Sequence, residues 1–286
     1  MAVGVVAVSW AAIFIRLCRL PAANVAAGRM ALAVLLMAPF ALRPTRRALK
    51  TLSRAETGLL LLAGAFLGLH FAAWVASLTY TSVASSVVLV TTNPLFVALG
   101  SRFLLKERLS RRVAAGICIA SAGAVWVGWE DMGGPGGPGG LTGDLLALAG
   151  AVLFSGYLLI GRRLRTTLPT SAYAFPIYGV SAAVLLVLSA GQWEAWGRAD
   201  ARAWTFLLLL ALVPTLIGHN CLNWALRHFP SPVVATAILG EPVLASVFAY
   251  LLLGERIGVG TATGGALVLA GVFTALSGPV RAPDRS

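Results

Sequence analysis

Charged residues are scarce in this chain. Asp, Glu, Lys and Arg make up 11% of the 286 residues, whereas 58% of the residues are hydrophobic. A soluble globular protein carries about 25% charged residues, because its surface faces water. The few charges here cannot cover a water-facing surface, and this excludes a soluble fold. The composition favours a protein whose surface faces lipid.

Acidic residues are scarcer than basic ones. The chain has 10 Asp and Glu against 22 Lys and Arg, which gives a formal net charge of +12. In a soluble protein such an excess favours binding to nucleic acid. Here the basic residues lie in the short gaps between apolar runs, where they are better explained as topological anchors. We therefore expect the lipid bilayer, and no nucleic acid, as a partner.

The sequence also lacks the patterns of metal sites and of common enzymes. Cys18, Cys118 and Cys221 lie in or beside apolar runs, without a CxxC pair or a neighbouring His-Cys cluster. No phosphate-binding Gly-Lys-Ser/Thr loop, HExxH or GxSxG motif is present. These absences predict no cofactor, no metal and no enzyme activity, and they argue against ATP-driven transport by this chain alone.

Long apolar runs dominate what is present. A membrane helix needs about 20 apolar residues to cross a hydrocarbon layer of roughly 30 Å. The sequence predicts ten such helices, and hence an all-α integral membrane protein. They cover residues 2–18, 22–42, 57–78, 83–104, 112–129, 142–161, 171–190, 203–226, 230–253 and 257–277. The first run is interpreted as a span and not as a cleaved signal peptide, because no basic segment precedes it.

The basic residues predict how these helices are oriented. If the N-terminus is cytoplasmic, 16 of the 22 Lys and Arg fall in cytoplasmic segments and five fall outside. Cytoplasmic loops of membrane proteins carry an excess of Lys and Arg. We therefore predict that both termini are cytoplasmic, including a tail at residues 279–286.

The two halves of the chain resemble each other. A Gly- and Pro-rich stretch at 130–141 is predicted to be an external linker between five-helix repeats at 1–129 and 142–278. A shift of 148 residues matches Leu78 with Leu226, Pro94 with Pro242, Leu104-Leu105 with Leu252-Leu253, Glu107-Arg108 with Glu255-Arg256, Ala114 with Ala262, Gly116 with Gly264 and Ala122-Gly123 with Ala270-Gly271. Since five is odd, the second repeat enters the membrane from the opposite side, and the repeats are predicted to be inverted.

Several residues resemble a known transporter family. Ser9-Trp10, Arg29 and the paired segments Leu-Leu-Lys-Glu-Arg-Leu at 104–109 and Leu-Leu-Gly-Glu-Arg-Ile at 252–257 are similar to the drug/metabolite transporter superfamily of the EamA type. Within it the chain is most similar overall to the YddG-type aromatic amino acid exporters of the bacterial inner membrane. The resemblance implies ten helices that export amino acids or related metabolites across that membrane. The first span departs from the pattern, because it begins almost at the initiator Met.

Arg29 and Glu241 are the two charged residues well inside predicted spans. A charge at a helix centre costs about 2.5–3.5 kcal/mol on insertion scales, so each side chain should face the bundle interior or water. The two residues form either a structural ion pair that locks the bundle or a substrate or proton-coupling site. Charged residues inside a membrane span are functional candidates by default, and we predict both for that role.

Polar and aromatic residues cluster in the third and eighth spans, at spacings that place them on shared helix faces. An aromatic cavity lined with amides suits a zwitterion that has a flat apolar part. The predicted substrate-binding residues are His70, Trp74, Tyr80, Asn220, Asn223 and Trp224, with Tyr157 and Tyr178 as additions. Amides in hydrocarbon also need partners, so hydrogen bonds between helices are the structural alternative.

Pro94 and Pro242 occupy equivalent points in the fourth and ninth spans. Proline lacks an N–H and interrupts helical hydrogen bonding, which produces either a static kink or a paired hinge. The inverted repeats and the paired prolines predict alternating access around a central cavity, and the resemblance implies an exporter of small metabolites, above all aromatic or apolar amino acids. The alternatives are a carrier of the same fold for a purine, a sugar derivative or a lipophilic cation, or a scaffold or enzyme without transport. A monomer and a homodimer both stay open.

Overall fold

The computed structural model of the chain describes residues 1–80, 86, 89–105, 110–131, 140–253 and 259–277. Every regular element within these ranges is helical. The α-helices are α1 (Ala2–Val8), α2 (Ala11–Cys18), α3 (Ala22–Leu49), α4 (Arg54–Tyr80), α5 (Asn93–Leu104), α6 (Arg111–Asp131), α7 (Gly140–Leu164), α8 (Thr170–Leu188), α9 (Glu194–Gly197), α10 (Ala201–Leu210), α11 (Asn220–His228), α12 (Ser231–Ile238), α13 (Gly240–Leu253) and α14 (Val259–Leu276). A π-helical segment at Ala211–His219 joins α10 to α11, and a 3₁₀ turn at Ala190–Gln192 precedes α9.

Several of these helices can cross a membrane. Within the described ranges, six stretches are long and apolar enough, namely Ala22–Leu49, Arg54–Tyr80, Leu141–Leu164, Thr170–Leu188, Ala201–His228 and Ser231–Leu252. Ala2–Cys18 and Ala262–Leu276 are shorter apolar helices. Large apolar side chains such as Phe40 and Phe273 are exposed on the outside of the bundle. Apolar side chains on the outside and apolar helices of this length are what an all-α membrane protein requires.

The first and eighth predicted spans are not continuous α-helices. α1 and α2 are separated at Ser9-Trp10, where the Ser9 hydroxyl donates to the Val5 carbonyl over 2.7 Å and the Trp10 ring stacks on Phe248 at 4.3 Å. The eighth span contains the π-helical segment, in which Pro214 lacks an N–H and the Thr215 hydroxyl donates to the Leu210 carbonyl at 2.8 Å. At the first place the Val5 carbonyl accepts from both the backbone N–H and the hydroxyl of Ser9, and at the second Pro214 removes a backbone donor.

The fourth and ninth spans are interrupted at nearly equivalent points. Thr91-Thr92 forms a turn directly before α5, and Leu239 forms a turn directly before α13. Pro94 and Pro242 therefore lie in the first turn of α5 and α13, where a missing N–H costs no helical hydrogen bond. The structure places a break in the helix at each proline, whereas movement about these breaks stays a prediction.

Helices α6 and α14, which are copies of each other in the internal repeat, pack closely and run antiparallel. A methyl group on Gly116 would lie 2.6 Å from the Gly271 carbonyl oxygen, and one on Gly123 would lie 2.6 Å from the Gly264 carbonyl oxygen. The absent side chains let the two backbones approach. A helix that meets its own copy in antiparallel orientation supports the prediction that the repeats are inverted.

Some predicted segments lie outside the described residues. They are residues 132–139 of the predicted linker, the tail beyond residue 277, and the paired Glu107-Arg108 and Glu255-Arg256. The ends of the predicted linker at 130–131 and 140–141 are helical, in α6 and α7. The division into two repeats and the cytoplasmic position of the termini stay predictions.

Candidate functional site

A cavity in the interior of the bundle is lined by both halves of the chain. The space between its lining atoms, counted with the open solvent at its mouth, is about 490 Å³, of which about 40 Å³ can hold the centres of water-sized molecules. The polar side chains that line it include Arg29, His70, Trp74, Asn93, His219 and Glu241, and the rings of Phe71 and Phe154 line it as well. These eight residues, which we call the cavity wall, come from α3, α4, α5, α7, α13 and the π-helical segment. Breaks in the helices therefore coincide with the wall of the cavity.

Arg29 is buried in α3 and held from two sides. Its Nε and Nη2 atoms donate to the Thr215 hydroxyl at 3.2 and 2.9 Å, and its guanidinium carbon lies 4.3 Å from the centre of the Phe71 ring. The π-helical segment carries Thr215, and such segments occur often at functional sites. The groups that contact the guanidinium directly are thus neutral, and its nearest opposite charge in the cavity wall is the Glu241 carboxylate, with which it interacts electrostatically.

Glu241 is the second residue of α13, directly after the break at Leu239. The N-terminus of a helix favours a negative charge, which suits a carboxylate at this point. The structure shows no nitrogen–oxygen contact within 4.0 Å between Glu241 and Arg29. The two opposite charges thus line one cavity without forming the direct ion pair that the structural interpretation required.

Several atoms of the cavity wall lack a hydrogen-bond partner among the described residues. They are Nη1 of Arg29, Nε1 of Trp74, Nδ2 and Oδ1 of Asn93, and Nδ1 of His219. Buried polar atoms in proteins are nearly always hydrogen-bonded, and an unsatisfied one costs about 1–3 kcal/mol. A polar ligand or water in the cavity would satisfy these atoms, which makes the cavity wall the candidate binding site.

Aromatic rings form the flat part of the cavity wall. His70 and Phe154 stack with ring centres 4.7 Å apart, and His70 and Trp74 are nearly parallel with ring centres 6.2 Å apart. The Nδ1 atom of His70 lies 2.9 Å from the Gly150 carbonyl oxygen. Since a carbonyl can only accept, Nδ1 carries the hydrogen, which leaves Nε2 as an acceptor. The rings favour a ligand with a flat apolar part.

Four predicted residues form a separate cluster, which we call the tyrosine–asparagine network. Tyr157 donates its hydroxyl hydrogen to Oδ1 of Asn223. Tyr178 donates to Oδ1 of Asn220 at 2.9 Å and accepts from Nδ2 of Asn223 at 3.5 Å. These bonds join α7, α8 and α11 and do not belong to the cavity wall. They are the hydrogen bonds between helices that the structural alternative described.

Arg165 extends this network toward the loop between α7 and α8. Its Nε atom donates to the Asn223 carbonyl at 2.9 Å, and its Nη2 atom donates to the Thr170 hydroxyl at 2.7 Å. Burial lowers the pKa of the Arg165 guanidinium from its ordinary value, because a charged group loses its hydration there. Carbonyl and hydroxyl acceptors replace the lost water, so Arg165 connects the backbone of α11 with the first residue of α8.

Tyr80 and Trp224 lie away from the cavity. Tyr80 is the last residue of α4 and is 50% exposed, and Trp224 is 48% exposed with its ring against His228 at 4.4 Å. Neither is among the side chains that line the cavity. Their predicted role in binding therefore has no geometric support, whereas His70, Trp74, Arg29 and Glu241 come together at the cavity.

The sequence analysis did not select Asn93, although the internal repeat points to it. The shift of 148 residues that matches Pro94 with Pro242 also matches Asn93 with Glu241. Phe71 and Phe154 were not selected either, since nothing in the sequence distinguishes them from phenylalanines that face lipid. The direction in which they point depends on how α4 and α7 pack.

Comparisons with known proteins agree with a transporter. The profile of the EamA-like transporter family matches residues 1–129 and 141–277. An uncharacterized transporter of Clostridium kluyveri is 28% identical over 214 residues, which cover 73% of this chain and 68% of that protein. The uncharacterized transporter YyaM of Bacillus subtilis is 25% identical over 218 residues, which cover 72% of this chain and 68% of that protein. A solved crystal structure with 20% sequence identity matches with a TM-score of 0.76 over 96% of this chain and 94% of that chain, and at this identity it shows the fold alone.

Proposed function

Because the chain belongs to the EamA-like transporter family, we propose that this membrane transporter exports amino acids with aromatic or apolar side chains across a bacterial inner membrane. The observation that carries the proposal is one cavity with two opposite charges that do not neutralise each other directly, Arg29 and Glu241. A zwitterion is the small molecule that satisfies both charges at once. The net charge of such a cavity is zero with neutral histidines, which suits a cargo without net charge.

The unpartnered atoms supply the groups that an amino acid needs. Nη1 of Arg29 and Nε1 of Trp74 are donors for the carboxylate of the cargo, and hydrogen bonds from charged donors are about twice as strong as neutral ones. Glu241 is the acceptor for its ammonium group. The rings of Phe71 and Phe154 receive a flat or apolar side chain. A phosphorylated sugar would need further cations, and a lipophilic cation would need further acids.

Alternating access is supported by the relation between the two halves. Helices α6 and α14 meet in antiparallel orientation, and the breaks at Thr91-Thr92 and Leu239 lie directly before α5 and α13, at the cavity. Inverted repeats around a central site occur in many carriers, in which one repeat moves against the other. We propose that Pro94 and Pro242 mark the hinges of this movement and that both termini are cytoplasmic.

Efflux from proteoliposomes tests the proposal. Vesicles are loaded with labelled tryptophan, leucine, a purine or a cationic dye, and release is measured with and without a pH gradient. Release of tryptophan and leucine above the rate of protein-free vesicles, with no release of the purine or dye, is the expected result. Release of the purine or the dye alone supports the other cargo, and release of none of the four contradicts the proposal.

The pH gradient decides between a uniporter and proton coupling. Glu241 is the acidic side chain of the cavity wall and is therefore the candidate for a coupling group. If wild-type efflux responds to the gradient and efflux by Glu241→Gln does not, Glu241 couples the proton. Wild-type efflux that is equal with and without the gradient identifies a uniporter.

A further inference from the structure

Asn93 and Glu241 stand at equivalent positions of the two halves and line the same cavity. They are 148 residues apart, and each is followed by proline. Asn93 is the first residue of α5, after the Thr91-Thr92 turn, and Glu241 is the second residue of α13, after the Leu239 turn. The two halves thus present an amide and a carboxylate to the cavity from corresponding points of two interrupted helices.

The side chain of Asn93 is unusual in being buried without a partner. It is 1% exposed, and neither its nitrogen nor its oxygen has a hydrogen-bond partner among the described residues. Its backbone carbonyl, in contrast, lies 3.1 Å from the Ser155 hydroxyl, which shares its hydrogen with the Ala151 carbonyl at 2.7 Å, and this contact places the start of α5 against α7. A fixed backbone and an unsatisfied amide at the cavity indicate a group that is oriented toward a ligand.

Arg29 has no such counterpart. The position that corresponds to it in the second half is Ile177, which is fully buried and apolar. The cation of the cavity is therefore supplied by one half alone, whereas both halves supply an oxygen acceptor at the 93/241 pair. An ammonium group carries three hydrogens and can donate to two acceptors at once.

We infer that Asn93 and Glu241 form one subsite for the ammonium group of the cargo. The negative charge of this subsite can be supplied from either half of the chain, at position 93 or at position 241. The inference rests on the proposed function and deepens it. Glu241 supplies the charge and Asn93 the second oxygen acceptor. Since the two positions correspond, a carboxylate moved from 241 to 93 still faces the ammonium group, while Arg29 continues to hold the carboxylate of the cargo.

Transplanting the charge tests this inference. Glu241→Gln is expected to lower tryptophan efflux roughly tenfold or more, which corresponds to the loss of about 1.4 kcal/mol of interaction. The double variant Asn93→Asp/Glu241→Gln is expected to recover efflux to within roughly threefold of the wild type. Efflux by the double variant that stays at the level of Glu241→Gln overturns the inference.

A matched control places the same acid elsewhere in the interior. In Asn220→Asp/Glu241→Gln the new carboxylate lies in the tyrosine–asparagine network, where Oδ1 of residue 220 still accepts from Tyr178. This variant is expected to transport no better than Glu241→Gln. Equal recovery by both double variants overturns the inference, because the position of the charge would then be irrelevant.

A single substitution covers the case in which the double variant does not fold. Asn93→Ala is expected to raise the half-saturating tryptophan concentration about fivefold, since a hydrogen bond contributes about 1 kcal/mol. The unfolding temperature without tryptophan should not fall, because the amide has no protein partner among the described residues. An unchanged half-saturating concentration overturns the inference. If the wild type shows no efflux, the proposed function itself is contradicted. If the wild type shows efflux and substitutions at position 93 do not change it, this inference alone is contradicted.

Discussion

The cavity wall and the tyrosine–asparagine network are both polar and both buried, but their polar atoms differ in what they contact. In the network, the hydroxyls of Tyr157 and Tyr178 and the amide of Asn223 bond to one another across three helices. In the cavity wall, the amide of Asn93 and the indole nitrogen of Trp74 have no partner among the described residues. Residues of the same chemical types therefore have partners in one cluster and lack them in the other.

The difference has a physical cause in the bilayer. No water reaches the hydrocarbon core to satisfy a polar group, so a polar residue there must bond to protein, face a cavity or remain unsatisfied at a cost. The polar groups of the network bond to protein, and these bonds stabilise the packing of α7, α8 and α11. The side chains of the cavity wall line a cavity instead, and five of their polar atoms have no hydrogen-bond partner among the described residues. Changes in the wall should therefore alter transport, and changes in the network should alter stability.

Arg29→Met should have the largest effect on transport. The change removes the donor for the cargo's carboxylate, and a hydrogen bond to a charged group contributes about 1.5–3 kcal/mol. We expect tryptophan efflux from proteoliposomes to fall roughly 10- to 100-fold. Arg198→Met is the control, since Arg198 is exposed and pairs with Glu194 at the surface. Normal efflux by Arg29→Met would remove Arg29 from the site.

Tyr157→Phe should have the largest effect on stability. The change leaves Oδ1 of Asn223 buried without its donor, which costs about 1–3 kcal/mol. We expect a lower unfolding temperature in detergent and an unchanged half-saturating concentration of tryptophan. If the concentration shifts while the unfolding temperature stays constant, Tyr157 belongs to the binding site and the distinction between the two clusters is wrong.

Trp74→Phe separates the two contributions of a single ring. Phenylalanine keeps the stacking on His70 but removes the Nε1 hydrogen, which has no partner among the described residues. We expect the half-saturating concentration to rise about fivefold, as for one hydrogen bond of about 1 kcal/mol, without loss of stability. A drop in unfolding temperature without a change in transport would show that Trp74 is a packing residue.

Tyr80→Phe and Trp224→Phe should have the smallest effects. Both side chains are about half exposed and lie away from the cavity wall. Substitutions at such positions usually change stability by less than about 0.5 kcal/mol. We expect a rate of transport within roughly twofold of the wild type and an unfolding temperature within a few degrees of it. A large loss of transport in either variant would extend the site beyond the cavity described here.

Much of the fold could be predicted from the sequence, but the interruptions in its helices could not. The apolar run at 230–253 correctly indicated a span, yet its break at Leu239 is not visible in hydrophobicity. Proline at 242 indicated a kink without giving its position. The break at Ser9-Trp10 is a further case, because it depends on the contact between Trp10 and the distant Phe248.

The candidate site was predicted in part, for a related reason. Arg29 and Glu241 stood out because charges are rare in membrane spans. The four residues of the tyrosine–asparagine network were selected by the same polarity that selected His70 and Trp74. Their different surroundings follow from the rotation of α7, α8 and α11 about their axes, and a spacing of three or four residues does not specify that rotation relative to neighbouring helices.

The apolar character of the helices and the similarity between the two halves of the chain can be read from the order of the residues, because the hydrocarbon layer acts on each segment separately. The partner of a polar side chain is a property of several helices at once. Asn223 and Asn93 carry the same amide, yet one accepts from a tyrosine hydroxyl and the other has no hydrogen-bond partner among the described residues. The packing of the helices decides whether a buried polar group has a hydrogen-bond partner, because that partner comes from a residue far away in the chain.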